Sequence, residues 1–335
     1  MTILIVKLGA AGDVIRTTAI LPGLKEKYKK AAIDWITEKK HVDLLRGNPY
    51  LRNIFVFDDH KLFSNHKYNL IIDLDADLGV SKVISLMKTD RLFGTYANSD
   101  KLVYTKDSRP WFDLGLLSRF GKEKADILKA KNRKTYQELC YQMLKLSYRQ
   151  QRPQLTLSRH DLESGRLFSH LNNIRKGDFV VGINTGAGTK WLHKKLDMTD
   201  TIKVIEKVKE RFPKSKIILL GGPEEIERNR KIKLKLPYVI DASGNQTFMQ
   251  FASLINLCGI LITSDSLGMH LATALNKKII AFFSPTSPWE IELYDTGVKV
   301  LPVKGCLACY HRRCQTKPQF DLNHFIESIE KPKLI

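Results

Sequence analysis

Twice along this chain a short, uninterrupted apolar run breaks off into a loop of small residues and resumes as an amphipathic segment. Residues 3–6 lead into Gly9-Ala10-Ala11-Gly12, and residues 179–183 lead into 184–189, Asn-Thr-Gly-Ala-Gly-Thr. An apolar run without alternating polar positions suits a strand covered on both faces, as in a parallel sheet flanked by helices. Further segments keep the alternation. In the first half, strands are expected at 32–37, 54–57 and 70–74, with helices over 14–28 and 135–145 and an extended stretch over 151–158. In the second half, strands are expected at 216–220, near 240, and at 260–263 and 279–283, with helices over 199–211, 224–234, 247–256 and 270–275. This order predicts an α/β chain of two Rossmann-like domains facing a cleft. The first domain spans 1–165, residues 159–177 lead into a hinge, and the second spans 178–320. A helix over 321–335 has an apolar face of Leu322, Phe325, Ile326 and Ile329 that packs at the hinge.

The 335 residues suffice for two cores and exclude a peptide hormone or a disulfide knot. A hydrophobic fraction of 43% with 27% charged residues is that of a globular chain, not of a disordered or membrane-embedded one. The apolar start is interrupted by Lys7 and Asp13, so it reads as a strand rather than a leader. The net charge of +20 points to phosphate-rich partners: nucleic acid, anionic lipid or a phosphorylated small molecule. Residues 101–176 hold seventeen basic and seven acidic side chains, half of the excess, either as solvated lysine-rich helices or as a basic wall.

Three groups of loops carry chemistry. Lys7 to Thr17 matches neither the Gly-x-Gly-x-x-Gly dinucleotide fingerprint nor the phosphate-loop pattern. Its Asp13 is either a helix cap or a general base at the carboxyl end of a strand. In the second loop, Thr185, Gly186 and Lys190 offer backbone N–H groups and a cation to a pyrophosphate, the alternative being a plain turn with a solvent-facing lysine. Following Gly221-Gly222-Pro223, Glu225 can accept ribose hydroxyls or merely cap the next helix. The third loop, Asp265-Ser266-Leu267-Gly268-Met269-His270, follows a buried strand and can hold a diphosphate through backbone donors and His270.

Gly12-Asp13, 186–191, 221–225, 265–271 and Phe283-Ser284-Pro285-Thr286, in this order and spacing, resemble the ADP-heptose-dependent heptosyltransferases of lipopolysaccharide synthesis, glycosyltransferase family 9. The resemblance covers nearly the whole chain and implies the glycosyltransferase B fold. It implies inverting, metal-independent transfer of heptose from ADP-heptose to a sugar hydroxyl of the phosphorylated lipopolysaccharide inner core. Asp13 would be the base and Lys190 would neutralise the leaving diphosphate. Glu225 would contact the ribose, Asp265 to His270 would hold the nucleotide, and Thr185, Gly186 and Gln246 would complete the donor pocket. Gly12 and Arg16 would face the acceptor. The family's Asp-Thr/Ser-Gly becomes Asp265-Ser266-Leu267 here, with glycine postponed to Gly268. Transfer of another nucleotide-linked sugar, or heptosylation of a protein, is the nearest alternative. A nucleic-acid-binding protein or a catalytically inactive interaction protein is the alternative from a different class. Nucleic acid is disfavoured because the glycine loops sit at paired α/β ligand positions and the cysteines complete no finger pattern.

Cys306, Cys309 and Cys314, with His311 as a further candidate ligand, form a cluster apart from these loops. They would hold a structural zinc or iron, or remain reduced, or close a local disulfide. With Cys140 and Cys258 isolated, the cysteine pattern suggests a reducing compartment. The expected location is the cytoplasm, with peripheral contact at the cytoplasmic face of the inner membrane.

Overall fold

The computed structural model describes residues 1–62, 65–188, 191–311 and 316–330. The chain forms two compact units, residues 1–156 with 289–292, and residues 157–288 with 293–335. The first contains strands β1 (Thr2–Val6), β2 (Ala32–Thr37), β3 (Asn53–Val56), β4 (Leu70–Asp73), β5 (Leu92–Asn98) and β6 (Lys101–Tyr104) in the order β3-β2-β1-β4-β5-β6. All neighbours are parallel except β5 and β6, which form a hairpin. The second contains β7 (Val180–Asn184), β8 (Lys216–Leu220), β9 (Ile240–Asp241), β10 (Ile260–Ser264), β11 (Lys278–Phe282) and β12 (Gly297–Val300) in the order β12-β11-β10-β7-β8-β9. Renumbered within its unit, this is again 3-2-1-4-5-6 read from the other edge. Both units are therefore doubly wound Rossmann-like sheets, the components of the expected glycosyltransferase B fold.

The central strands are fully buried. Ile3, Ile5, Ile33, Trp35 and Ile72 lie in one core, and Leu4, Val6, Ile36 and Ile71 lie on the opposite face of the same sheet. Burial on both faces is why these strands read as continuous apolar runs. In the second unit Val181, Ile183, Leu219, Ile262 and Ile280 belong to one core with Val204, Val208 and Phe325.

Several elements differ from expectation. The helix expected over 14–28 is two helices, Ala11–Thr17 and Ile20–Lys27. Pro22 has no N–H to give the carbonyl four residues back, at Thr18, so the first helix stops there. The segment taken as a hinge contains the helix Arg159–Leu171, which lies in the second unit and packs against Phe248–Leu257. Gly165 sits at that crossing: its N–H donates to Ser253 Oγ at 3.1 Å, and a Cβ there would lie 2.6 Å from the same oxygen. The division between units falls after residue 156, not between 165 and 178. The C-terminal helix Leu322–Glu330 packs on Met198–Arg211 and on β11 and β12 inside the second unit, not at a hinge. Phe325 closes an aromatic cluster with Phe282 and Phe320. Among the described residues, no helix is long and apolar enough to cross a membrane.

One buried carboxylate ties β2 to the start of β3 and to the segment that leads into β4. Asp34 on β2 is fully buried and accepts from Arg52 Nε at 2.9 Å and Nη2 at 2.5 Å, from Asn53 Nδ2 at 3.1 Å and from Tyr68 Oη at 2.9 Å. Replacing Asp34 by Ala leaves the buried Tyr68 hydroxyl without its acceptor. This substitution is expected to lower stability by about 2–3 kcal/mol, measured as the shift of the urea midpoint.

Candidate active site

In a doubly wound sheet, ligands bind outside the carboxyl ends of the strands where the strand order reverses. In the first unit that point lies between β1 and β4, whose following loops are 7–10 and 74–77. Asp75 joins them. Its Oδ2 accepts Leu8 N–H at 2.6 Å and Gly9 N–H at 2.9 Å, its Oδ1 accepts Ala76 N–H at 2.9 Å, and Lys7 Nζ stands 3.7 Å away. Burial works against the charge of Asp75, but Lys7 and these N–H groups outweigh it and hold its carboxyl below the usual carboxylate range. His41 donates from Nδ1 to Leu8 O at 2.8 Å, and burial lowers its pKa. The loop thus enters the helix Ala11–Thr17 under restraint, with Ala10 at φ +30° just before Asp13.

Asp13 lies in the first turn of that helix, not at its cap. Its Oδ1 meets Arg16 Nη2 at 2.8 Å. The Arg16 side chain is 13% exposed against 36% for Asp13, and its guanidinium lies 4.2 Å from the Tyr136 ring centroid and 5.4 Å from that of Trp111. Thr17 Oγ1 donates to Asp13 O and lies 2.8 Å from Tyr136 Oη. Arg16 is thus engaged on Asp13 and two rings, and Gly12 precedes Asp13 in the same turn. A cavity of about 700 Å³ lies at the carboxyl ends of β1 to β4, lined among others by Gly9, Glu38, Lys40, Asp58 and Asp77. Its lining mixes carboxylates and lysines, so the basic excess of the first half is not gathered there.

In the second unit the reversal lies between β7 and β10, and Asn184 bridges it. Its Nδ2 donates to Thr263 Oγ1 at 3.0 Å, Ser266 Oγ at 2.9 Å and Gly186 O at 3.1 Å, while its Oδ1 accepts Gly186 N–H at 3.3 Å. A Cβ on Gly268 would lie 2.8 Å from this Nδ2, so glycine is required there by close approach. The helix Leu267–Ala274 begins at this point, placing the N–H groups of Leu267, Gly268 and Met269 in its first turn, where no helical carbonyl precedes them. Thr185 is buried, donating to Leu220 O at 3.0 Å and bonding Asn229 Oδ1 at 2.8 Å.

Two lysines that sequence reasoning passed over neutralise the two acids it named. Lys195 Nζ meets Glu225 Oε1 at 2.5 Å, while Glu225 Oε2 accepts Gly222 N–H at 3.1 Å and lies 2.9 Å from where a Cβ on Gly186 would stand. Glu225 is thus both a turn cap and a wall of the Gly186 loop. Lys194 Nζ lies 3.0 Å from Asp265 Oδ2, and His270 Nε2 lies 3.8 Å from its Oδ1. Burial would raise the pKa of Asp265, but Lys194 and then His270 bring it down to about 2. Gln246 is half-buried and donates to Ala242 O. Lys190 lies outside the described residues.

Cys306 and Cys309 are joined in a disulfide, so neither sulfur is a thiolate for a metal. Of the alternatives left by the sequence, this is the local disulfide. His311 is exposed, and Cys314 lies outside the described residues. Among the described residues, no group of His, Cys, Asp and Glu is arranged to hold a metal. The disulfide loop is pinned to the Ser284-Pro285 segment, with Ala308 N–H on Ser284 O at 2.7 Å and Tyr310 N–H on Pro285 O at 2.9 Å.

Residues 61–319 match the model of glycosyltransferase family 9 (heptosyltransferase). The chain belongs to this family. It is 22% identical over 333 residues to lipopolysaccharide heptosyltransferase 1 of Campylobacter coli, covering 91% of this chain and 92% of that one. A family 9 glycosyltransferase structure from Veillonella parvula matches with a TM-score of 0.72 at 18% identity, over 90% of this chain and 85% of that one. The E. coli ADP-heptose lps heptosyltransferase II structure matches with a TM-score of 0.65 at 17% identity, over 91% and 92%. The heptosyltransferase fold therefore extends over both units.

Asp73, completely enclosed beneath Asp75, accepts Asp75 N–H at 3.0 Å and Ser81 Oγ–H at 3.0 Å, and burial, opposed by these bonds, raises its pKa to about 7. From the ordinary carboxylate value up to that point the folded protein holds one proton more than the unfolded chain. Asp73's contribution to stability is therefore full below the ordinary value and is lost as the pH rises through about 7. A series of urea midpoints against pH should show this slope, and Asp73→Asn should flatten it. Gly268→Ala should cost about 1–3 kcal/mol in the same assay by displacing Asn184 from its bridge.

Proposed function

We propose that this enzyme transfers heptose from ADP-heptose to a sugar hydroxyl of the phosphorylated lipopolysaccharide inner core, with inversion at the anomeric carbon and without a catalytic metal. The observation that carries this reading is the pair of loop sets at the two strand-order reversals of a family 9 chain: one bears a carboxylate, the other helix N–H groups and neutralised acids. A carboxylate suits the acceptor side, where a proton must be removed. A neutral, N–H-rich turn suits a diphosphate.

In this reaction the acceptor oxygen attacks the anomeric carbon, its proton passes to Asp13, and the bond from that carbon to the diphosphate oxygen breaks as ADP departs. Arg16 acts through Asp13, fixing the direction of its carboxylate from a seat on Tyr136 and Trp111. Gly12 leaves room for the acceptor beside Asp13. On the donor side, the N–H groups of Leu267 and Gly268, with His270 and Lys190, meet the charge that grows on the leaving diphosphate. Glu225 retains lone pairs for the ribose hydroxyls beyond its bonds to Lys195 and Gly222, with Thr185 and Gly186 forming the adjoining wall. Gln246, Asp265 and Ser266 complete the donor pocket. The place of action is the cytoplasmic face of the inner membrane, where the acceptor is a glycolipid.

Purified protein incubated with ADP-heptose and a heptose-deficient core acceptor should release ADP and add one heptose to the acceptor, read by mass spectrometry. Asp13→Asn should lower kcat by about 10²–10⁴-fold with the KM for donor little changed, whereas Lys190→Ala should impair both. Retained turnover in Asp13→Asn overturns the base assignment. Faster transfer from another nucleotide sugar in a donor panel overturns the donor.

A further inference from the structure

We propose that the surface formed by residues 116–134 is a docking site for an anionic lipid bilayer. The inference does not rest on the transfer reaction. These nineteen residues hold seven Lys and Arg against two acidic side chains. Single exposed apolar residues are ordinary on protein surfaces. Here, however, Leu116 at 84%, Ile127 at 55% and Phe120 are exposed within twelve residues, among cations. Arg119 and Lys124 bracket the Phe120 ring, at 4.2 and 4.4 Å from its centroid. On the helix Lys122–Lys131 the stripe continues, because Lys124, Ile127 and Lys131 are spaced i, i+3 and i+7 and share one face.

Apart from the exposed Glu123, the neighbouring carboxylates are already engaged. Asp113 pairs with Arg119, Asp126 with Lys122, and Glu290 with Lys129. Among the described residues no carboxylate pairs with Lys124, Lys131, Arg133 or Lys134, although Arg133 lies over the Trp289 ring and Lys134 bonds Gln142. Apolar side chains standing out between unneutralised cations match a headgroup layer, where phosphates meet the cations and the acyl boundary receives Leu, Phe and Ile. The lysine stems can lie along the same boundary with their charges outward. A nucleic acid would use the cations and stack on Phe120, but it would give Leu116 and Ile127 nothing to bury into.

The full chain should float with phosphatidylcholine vesicles containing about a third phosphatidylglycerol, at least ten-fold more than with phosphatidylcholine alone, and should be released by high salt. Lys124→Ala with Lys131→Ala should weaken partitioning roughly 25-fold, about five-fold per cation. Leu116→Ser with Ile127→Ser should weaken it by at least ten-fold while leaving the melting temperature unchanged. The lysine pair is wholly on the surface and provides the test should the apolar pair fail to fold. Equal flotation of the lysine variant and the unaltered chain, or no flotation with either vesicle, overturns the proposal. It is also overturned if the apolar pair loses affinity for an RNA oligonucleotide or self-association in sedimentation velocity, while keeping its vesicle binding.

Discussion

Asp75 accepts the N–H groups of Leu8 and Gly9 on a single oxygen, and the course of the loop that leads to Asp13 hangs on that grip. Where a doubly wound sheet reverses its order, the loops after the two central strands diverge, and the backbone between them has no ladder to bond to. A charged acceptor is a strong way to close such a gap. Closing it here fixes the path into Ala10 and hence the position of Asp13. The second unit closes the same gap with Asn184, an uncharged amide that both donates and accepts. The acids beside the second unit's turns, Glu225 and Asp265, each have a lysine against them.

Much of this was legible in the sequence because parallel strands buried on both faces leave an unbroken apolar signature. Strands 3–6 and 216–220 were readable almost to the residue for that reason, and 32–37 was readable despite the buried Asp34 in its middle. The β5–β6 hairpin was not, since Ser99 adopts φ +55° at its turn without an Asn-Gly or Asp-Gly signal, and β5 mixes Thr, Tyr and Asn with its apolar positions. The helix 159–171 leaves little trace in the sequence because its exposed face is charged and its contact with Phe248–Leu257 runs through Gly165, which carries no apolar side chain to announce it.

The site was legible in a similarly uneven way. Asp13, Glu225 and Asp265 stand next to glycine-rich loops, and proximity in sequence marked them. Asp75, Lys194 and Lys195 act across space on those loops, from a neighbouring strand end or a turn several residues on. Asp75 carried a faint signal as the middle of three acidic residues in Asp73-Leu74-Asp75-Ala76-Asp77, at the end of a buried strand where a carboxylate has to be paired or protonated. Arg16 is expected near an acceptor because cations are expected near anions, but nothing in the sequence marks its packing on Tyr136, 120 residues further along the chain.

The displaced glycine of the third loop is best understood through the same bridge. Ser266 flanks the helix start with extended backbone and receives Asn184 through its hydroxyl, so the turn needs no positive φ at position 267 and leucine is tolerated there. One residue later the helix backbone passes so close to Asn184 that a Cβ would collide with the amide. Glycine at 268 therefore stands where space, rather than backbone conformation, demands it.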